Sequence, residues 1–87
     1  MANSRSAEKR IRQEQKRRAR NRVQRSRLRT SIKKVRNATD AETALAAYRE
    51  TAAMLDRLAT RRLIHPNMAA RNKSKLAKHV KALGGQP

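Results

Sequence analysis

Fifteen of the first 36 residues are Lys or Arg, and only Glu8 and Glu14 oppose them. No other feature restricts the possible folds so strongly. On a helix advancing 100° per residue, Arg10, Arg12, Lys16, Arg17, Arg18, Arg20 and Arg22 point to every side, and residues 12–22 contain no large apolar side chain. A helix without an apolar face has nothing to pack against protein. A run of charge is ordinarily a solvated face, but this density of like charge opposes any compact or helical state unless countercharge is supplied. The segment therefore calls for a polyanionic partner.

The remaining chain divides by charge. Residues 37–60 hold Arg49 and Arg57 against four acids, whereas residues 61–87 hold seven basic residues and no acid, and the whole carries a net charge of +18. Two basic segments flank a nearly neutral one, which suggests that the first and third face a ligand while the second supports them. The 13 Ile, Leu and Val residues allow only a small core, and the length sets a ceiling of one domain, residues 1–87. Part of the chain is expected to become ordered only when its charge is neutralised. No stretch resembles a signal peptide or a membrane span, so a cytoplasmic protein is expected.

Helix is the secondary structure the pattern supports, because Ala, Arg, Lys, Leu and Gln dominate and β-branched and aromatic residues are scarce. A first helix from about Ser6 to Arg36 carries a short apolar stripe of Leu28, Ile32 and Val35. Its N-terminal half, residues 1–27, would project as a basic arm from a bundle formed by residues 28–87. In the middle segment Ala41, Leu45, Tyr48, Ala52, Leu55 and Ala59 recur at steps of four and three, the seam of a packed helix. Thr39 and Glu42 have the spacing of a capping box, with Asp40 adding negative charge at the helix start. A third helix is predicted from Pro66, suited to a first helical position, to Gly84-Gly85, with Ala69, Leu76, Val80 and Leu83 on its seam and Lys73 on the same stripe. Leu63 and Ile64 would tuck into the turn between Arg61 and His65. The predicted fold is all-α, an antiparallel three-helix bundle with an overlong basic first helix. Its core would combine Leu28, Ile32 and Val35 with Leu45, Tyr48, Leu55 and Leu58, and with Leu76, Val80 and Leu83.

Catalytic chemistry has no foothold in this sequence. The absence of Cys excludes disulfides, thiolate metal sites and thiol nucleophiles together. No nucleophile–base pair or carboxylate pair has workable spacing. His65 and His79 stand 14 residues apart with no acid near them, so no metal site or cofactor is expected; His65 reads as a turn or cap residue and His79 as a solvated helix position. The acids of the middle helix would pair with Arg49, Arg57 or the neighbouring basic helices.

Nucleic acid fits the excess charge, because Lys and Arg release condensed counterions when they meet phosphates. Single-strand readers stack bases on aromatic rings, and Tyr48 alone, placed on the apolar seam, offers no such platform. That leaves recognition of folded RNA or duplex through backbone and shape. Ser6, Asn21, Ser26, Thr30, Asn67, Asn72 and Ser74 lie among the basic residues, where hydrogen bonds to a backbone would be useful. The run Arg17-Arg18-Ala19-Arg20-Asn21-Arg22 has some likeness to the basic region of a leucine-zipper factor, but the heptad continues from Leu28 through Val35 to Glu42, and turn residues interrupt it. A membrane-active peptide would need a segregated apolar face, which the N-terminal segment does not have. Action of the unbound protein on an acidic enzyme, through the same basic surface, is a further alternative.

Three stretches carry a family resemblance. Met1-Ala2-Asn3 with Ser6-Ala7 and Lys9-Arg10-Ile11, and Arg25-Ser26 with Arg29-Thr30 and Ile32-Lys33-Lys34-Val35, are similar to the N-terminus and first helix of bacterial small-subunit ribosomal protein S20. The most specific is Ile64-His65-Pro66-Asn67-Met68-Ala69-Ala70-Arg71-Asn72-Lys73-Ser74-Lys75-Leu76, which resembles that family's Ile-His-x-Asn-x-Ala-Ala-Arg-x-Lys-Ser-Arg-Leu. The resemblance implies a three-helix bundle bound to 16S rRNA at the 5′ domain and the long stem of the 3′ minor domain, among other small-subunit components. It implies a role in early 30S assembly; no membrane association and no homo-oligomer are expected. By position it points to Lys9, Arg10, Lys16, Arg17, Arg18, Arg22, Arg25, Arg29, Lys33 and Lys34 on the first helix as rRNA contacts. In the last segment it points to His65, Asn67, Arg71, Lys73, Ser74, Lys75 and Lys78. Two positions depart from the pattern: Arg62 stands where the family has Gly, and Pro66 where Lys is common. A non-Gly residue at 62 is expected to avoid positive φ.

Overall fold

The computed structural model describes residues 2–87; Met1, the first residue of the expected arm, lies outside them. Three helices form, α1 (Ala2–Asn37), α2 (Ala41–Thr60) and α3 (Pro66–Ala82), with every pair in contact. Short turns at residues 38–40 and 61–65 make successive helices antiparallel. The expected bundle is therefore observed, and α1 is 36 residues long, longer than the Ser6–Arg36 reading. At 1.5 Å per residue α1 spans about 54 Å, which gives the molecule its 64 Å long axis.

Two joined clusters make the core. Near the α2–α3 turn, Leu28, Leu55, Leu58, Ile64 and Ala69 pack together; toward the other end, Val35, Ala44, Leu76 and Val80 do so, with half-buried Ile32 touching both groups. Ile64 tucks under the turn as expected, and Leu63 is half-buried beside it. Leu45, Tyr48 and Leu83, expected in the core, are only half-buried on its flank. The inner line of α2 instead runs through Ala44, Thr51, Leu55 and Leu58. The physical reason is close approach: α2 touches both other helices, so small side chains occupy the tightest contacts, whereas spacing alone gives weight to the large ones. Thr51 shows this directly, being fully buried, donating its hydroxyl proton to the Ala47 carbonyl at 2.8 Å and accepting a 2.6 Å hydrogen bond from the Ser31 hydroxyl.

The helix ends follow from their cap residues, with one register correction. Asp40, not Thr39, is the N-cap of α2: its Oδ2 accepts from both the Thr43 amide and the Thr43 hydroxyl at 2.9 Å. A carboxylate is a stronger acceptor than a hydroxyl and lies at the positive end of the helix dipole, so it displaces the predicted capping box by one residue. The Thr43 amide, aided by the Thr43 hydroxyl, holds the Asp40 carboxyl below the usual carboxylate range. The folded state thus favours the ionised form, and this contribution is complete above the ordinary Asp range and is lost as pH falls through the lowered value. The thermal midpoint is expected to drop as pH falls below about 4, and less so in Asp40→Asn, whose amide oxygen caps without titrating; equal acid sensitivity of the two proteins would contradict this role.

The two C-termini use the same device with different residues. At α3, Gly84 takes φ +96° and the Gly85 amide returns to the Val80 carbonyl at 3.0 Å. At α2, Arg62 takes φ +61°, its amide donates to Ala59 and the Leu63 amide donates to Leu58 at 2.9 Å. This is the Schellman closure, in which the residue after the helix adopts the left-handed conformation and the next apolar side chain folds back. The expectation that Arg62 avoids positive φ is therefore overturned: satisfying two orphan carbonyls and burying Ile64 outweigh the steric cost of a Cβ there. That cost is about 1–2 kcal/mol. Arg62→Gly is expected to raise stability by about 1 kcal/mol and the thermal midpoint by about 4–8 °C; an unchanged or lower midpoint in a melt would contradict strain at this residue.

Candidate nucleic-acid interface

Burial divides α1 into two halves. From Ser4 to Arg20 every residue is exposed, including Ile11 at 54%. Burial begins at Asn21 and Gln24, which continue the line of Leu28, Ile32 and Val35 outward toward the arm. Ser6, Lys9, Arg10, Lys16, Arg17 and Arg18 thus stand exposed on the outer half of α1.

Helical spacing sorts the next residues. Arg18, Arg22, Arg25 and Arg29 recur at steps of four and three and, with Asn21 and Ser26, line one shallow hollow of about 440 Å³. The side chain of Arg25 also reaches the Leu63 carbonyl at 3.5 Å, the outer limit of a hydrogen bond. Arginine forks spaced by single helical turns present a row of planar donors matched to phosphate oxygens. Thr30 donates its hydroxyl proton to the Ser26 carbonyl at 3.1 Å, which leaves its oxygen as an acceptor. Lys33 and Lys34 are exposed near the end of α1, Lys34 beside Glu50.

On α3, Asn67, Arg71, Ser74 and Lys78 are all exposed and fall on a single stripe opposite buried Ala69, Leu76 and Val80, with Lys75 at its flank. The packing of the apolar seam thereby turns the polar stripe to solvent. His65 is the N-cap of α3: its Nδ1 accepts from the Asn67 amide at 3.1 Å, so the ring is held with Nε2–H free to donate outward. Pro66 occupies the first turn, as its missing N–H predicts. Asn72 turns inward and donates to the Met68 carbonyl at 2.9 Å.

Lys73 differs from its neighbours. It is half-buried and its Nζ lies 2.9 Å from Asp56 Oδ1 on α2, a hydrogen bond and charge pair that hold the ammonium above its usual range. Among the described residues this is the one ion pair, and it places a carboxylate beside Lys73, a position the sequence resemblance assigns to rRNA. His79 is half-buried with Nε2 enclosed and unpartnered, not the solvated position expected of it. Arg20, Arg27 and Arg61 also line surface hollows and are not among the contacts named from the sequence; the first two share the basic run of α1, whereas nothing in the sequence marks Arg61.

Among the described residues, no three His, Cys, Asp or Glu side chains come together as metal ligands, and no helix is long and apolar enough to cross a membrane. The arrangement can hold extended anions by charge and by hydrogen bonds.

Comparison with known proteins gives a consistent result. The family profile described as Ribosomal protein S20 matches residues 2–81. The small ribosomal subunit protein bS20 of Alkalilimnicola ehrlichii is 51% identical over 88 residues, covering 98% of this chain and 100% of its own length. The proteins of the same name from Coxiella burnetii and Nitrosococcus oceani are 48% and 49% identical, each over 86 residues and 95% of this chain, covering 96% and 99% of their own lengths.

Proposed function

The chain belongs to the ribosomal protein S20 family, and from that premise we propose that it binds 16S rRNA directly and stabilises its fold during assembly of the small subunit. Its structural role in the small subunit, rather than an enzymatic one, follows from the family, as does a ribosome-bound place in the cytoplasm. The observation that carries direct binding is the run from Ser4 to Arg20, exposed at every residue, rich in Lys and Arg against two Glu, with no protein surface to neutralise it. Phosphates of folded RNA neutralise such a rod by lying alongside it, and the rod in turn screens RNA helices that would otherwise repel.

In this reading residues 1–27 act as the arm and 28–87 as the body that fixes its direction. The contacts are Ser6, Lys9, Arg10, Lys16 and Arg17, then the Arg18–Arg29 stripe with Thr30, Lys33 and Lys34, and on α3 His65, Asn67, Arg71, Ser74, Lys75 and Lys78. The 5′ domain and the long stem of the 3′ minor domain are the RNA elements that the family resemblance assigns. A dimeric basic-zipper arrangement on DNA loses support from the fold: α1 stops at Asn37 and the chain reverses into α2, so no helix continues to form a zipper.

Circular dichroism and fluorescence anisotropy, with the protein titrated by a folded 5′-domain fragment of 16S rRNA and by duplex DNA of equal length, test this. Tighter binding and a larger gain of helix with the RNA are expected. Equal affinity for both would reduce the function to non-specific polyanion binding.

A further inference from the structure

Where α1 leaves the bundle it passes the α2–α3 turn, and a solvent-open hollow of about 460 Å³ lies between them. It is lined on α1 by Lys16, Arg17, Arg20 and Gln24 and on the turn by Arg61 and Leu63. We propose that this notch holds a segment of RNA phosphodiester backbone, with Arg61 as a phosphate ligand reaching it from the turn. The proposal rests on the reading of the protein as an rRNA binder and adds to it a second wall of contact that α1 alone does not have.

Three observations carry it. Packing brings four cations together, and no carboxylate is among the lining residues; the ion pair of the bundle engages Asp56 and Lys73, and Glu14 lines a different hollow. Like charges gathered without a counterion oppose folding, so the notch is electrostatically incomplete without an anion. Its shape is the second observation: an isolated helix is convex and meets a phosphate from one side, whereas here donors face it from α1 and from the turn. Charge-assisted hydrogen bonds from opposed donors fix a strand's position as well as attracting it.

The third is the backbone of the turn. Arg62 holds φ +61°, although the same closure at α3 is made by Gly84. Strain of this kind persists where the surrounding structure enforces it and gathers at functional sites. The left-handed residue turns the chain so that Leu63 folds back under α1, where the Leu63 carbonyl meets Arg25. Arg61, immediately before it, is thereby set against the arm.

The test uses the full chain and a labelled, folded 5′-domain fragment of 16S rRNA, with affinity followed by anisotropy from about 50 to 200 mM salt. Arg61 is exposed, and dichroism checks that its variants keep their helix. Arg61→Ala is expected to weaken binding by about sixfold near 0.1 M salt and to flatten the log–log salt dependence by about 0.7–0.9. Arg61→Lys should keep the wild-type slope, because the slope counts charges. Arg49→Ala, an exposed charge on α2 outside the notch, should leave the slope unchanged. A wild-type slope in Arg61→Ala, or an equal loss in Arg49→Ala, would overturn the notch while leaving rRNA binding intact. Wild-type protein that binds duplex DNA as well as the fragment would overturn the underlying reading, and the notch with it.

Discussion

Replacing Arg18, Arg22, Arg25 and Arg29 together by Gln is expected to weaken binding to the folded 5′-domain fragment by about a thousandfold near 0.1 M salt. The magnitude follows from counterion release. Each phosphate met by a cation contributes a salt exponent of about 0.7–0.9, which near 0.1 M is about a factor of six in affinity, and four such factors multiply. The slope of log affinity against log salt should flatten by about three units at the same time. All four side chains are exposed, and their removal lowers the charge repulsion along α1, so the fold is not at risk. The milder pair Arg17→Ala with Arg18→Ala removes one or two phosphate ligands and should flatten the slope by about one unit for each. A quadruple variant with affinity reduced but slope unchanged would mean that these arginines do not meet phosphates.

Leu55→Ala is expected to have the largest effect on stability. Leu55 is fully buried and packs in the cluster of Leu28, Leu58, Ile64 and Ala69, where the three helices meet the turn. Truncation removes apolar contact and leaves a cavity, at a cost of about 2–5 kcal/mol. In a chain of this size that lowers the thermal midpoint by about 10–25 °C, read by dichroism at 222 nm. Val23→Ala, at a side chain 50% exposed, should move it by no more than about 2–4 °C. Because an RNA that binds only the folded state stabilises it by mass action, saturating rRNA fragment should recover much of the lowered midpoint in Leu55→Ala. In the quadruple arginine variant the same fragment should raise the midpoint far less, which separates loss of fold from loss of binding.

Much of the molecule is legible in its sequence. The three helices, the exposed basic arm, Pro66 at the start of α3 and the Gly84 termination all follow from periodicity, charge and the conformational limits of Pro and Gly. The α3 stripe of Asn67, Arg71, Ser74 and Lys78 is implicit too, because an apolar seam at Ala69, Leu76 and Val80 leaves only the opposite face for solvent. The departures share one cause, competition between neighbours that spacing does not weigh. A seam of α2 through Leu45 and Tyr48 gives weight to size, whereas the closest helix contacts go to Ala44 and Thr51. The capping box at Thr39 is displaced because the Asp40 carboxylate wins the local competition between acceptors. Lys73, one basic residue among several in the sequence, finds Asp56 across the α2–α3 contact.

By itself, the sequence determined the class of fold and the sign of the partner. Those depend on properties each segment carries alone: helix propensity, an apolar stripe of the right period, and an uncompensated charge that neither a protein core nor a lipid face accepts. The tertiary structure decided which side chains share a neighbourhood. It brought Lys73 to the Asp56 carboxylate, let Arg62 keep a left-handed backbone, and set Arg61 against Lys16, Arg17 and Arg20. Such juxtapositions depend on the angle and register at which helices pack, set by small residues at close contacts and by the closure of one turn, and no periodicity in the chain encodes them.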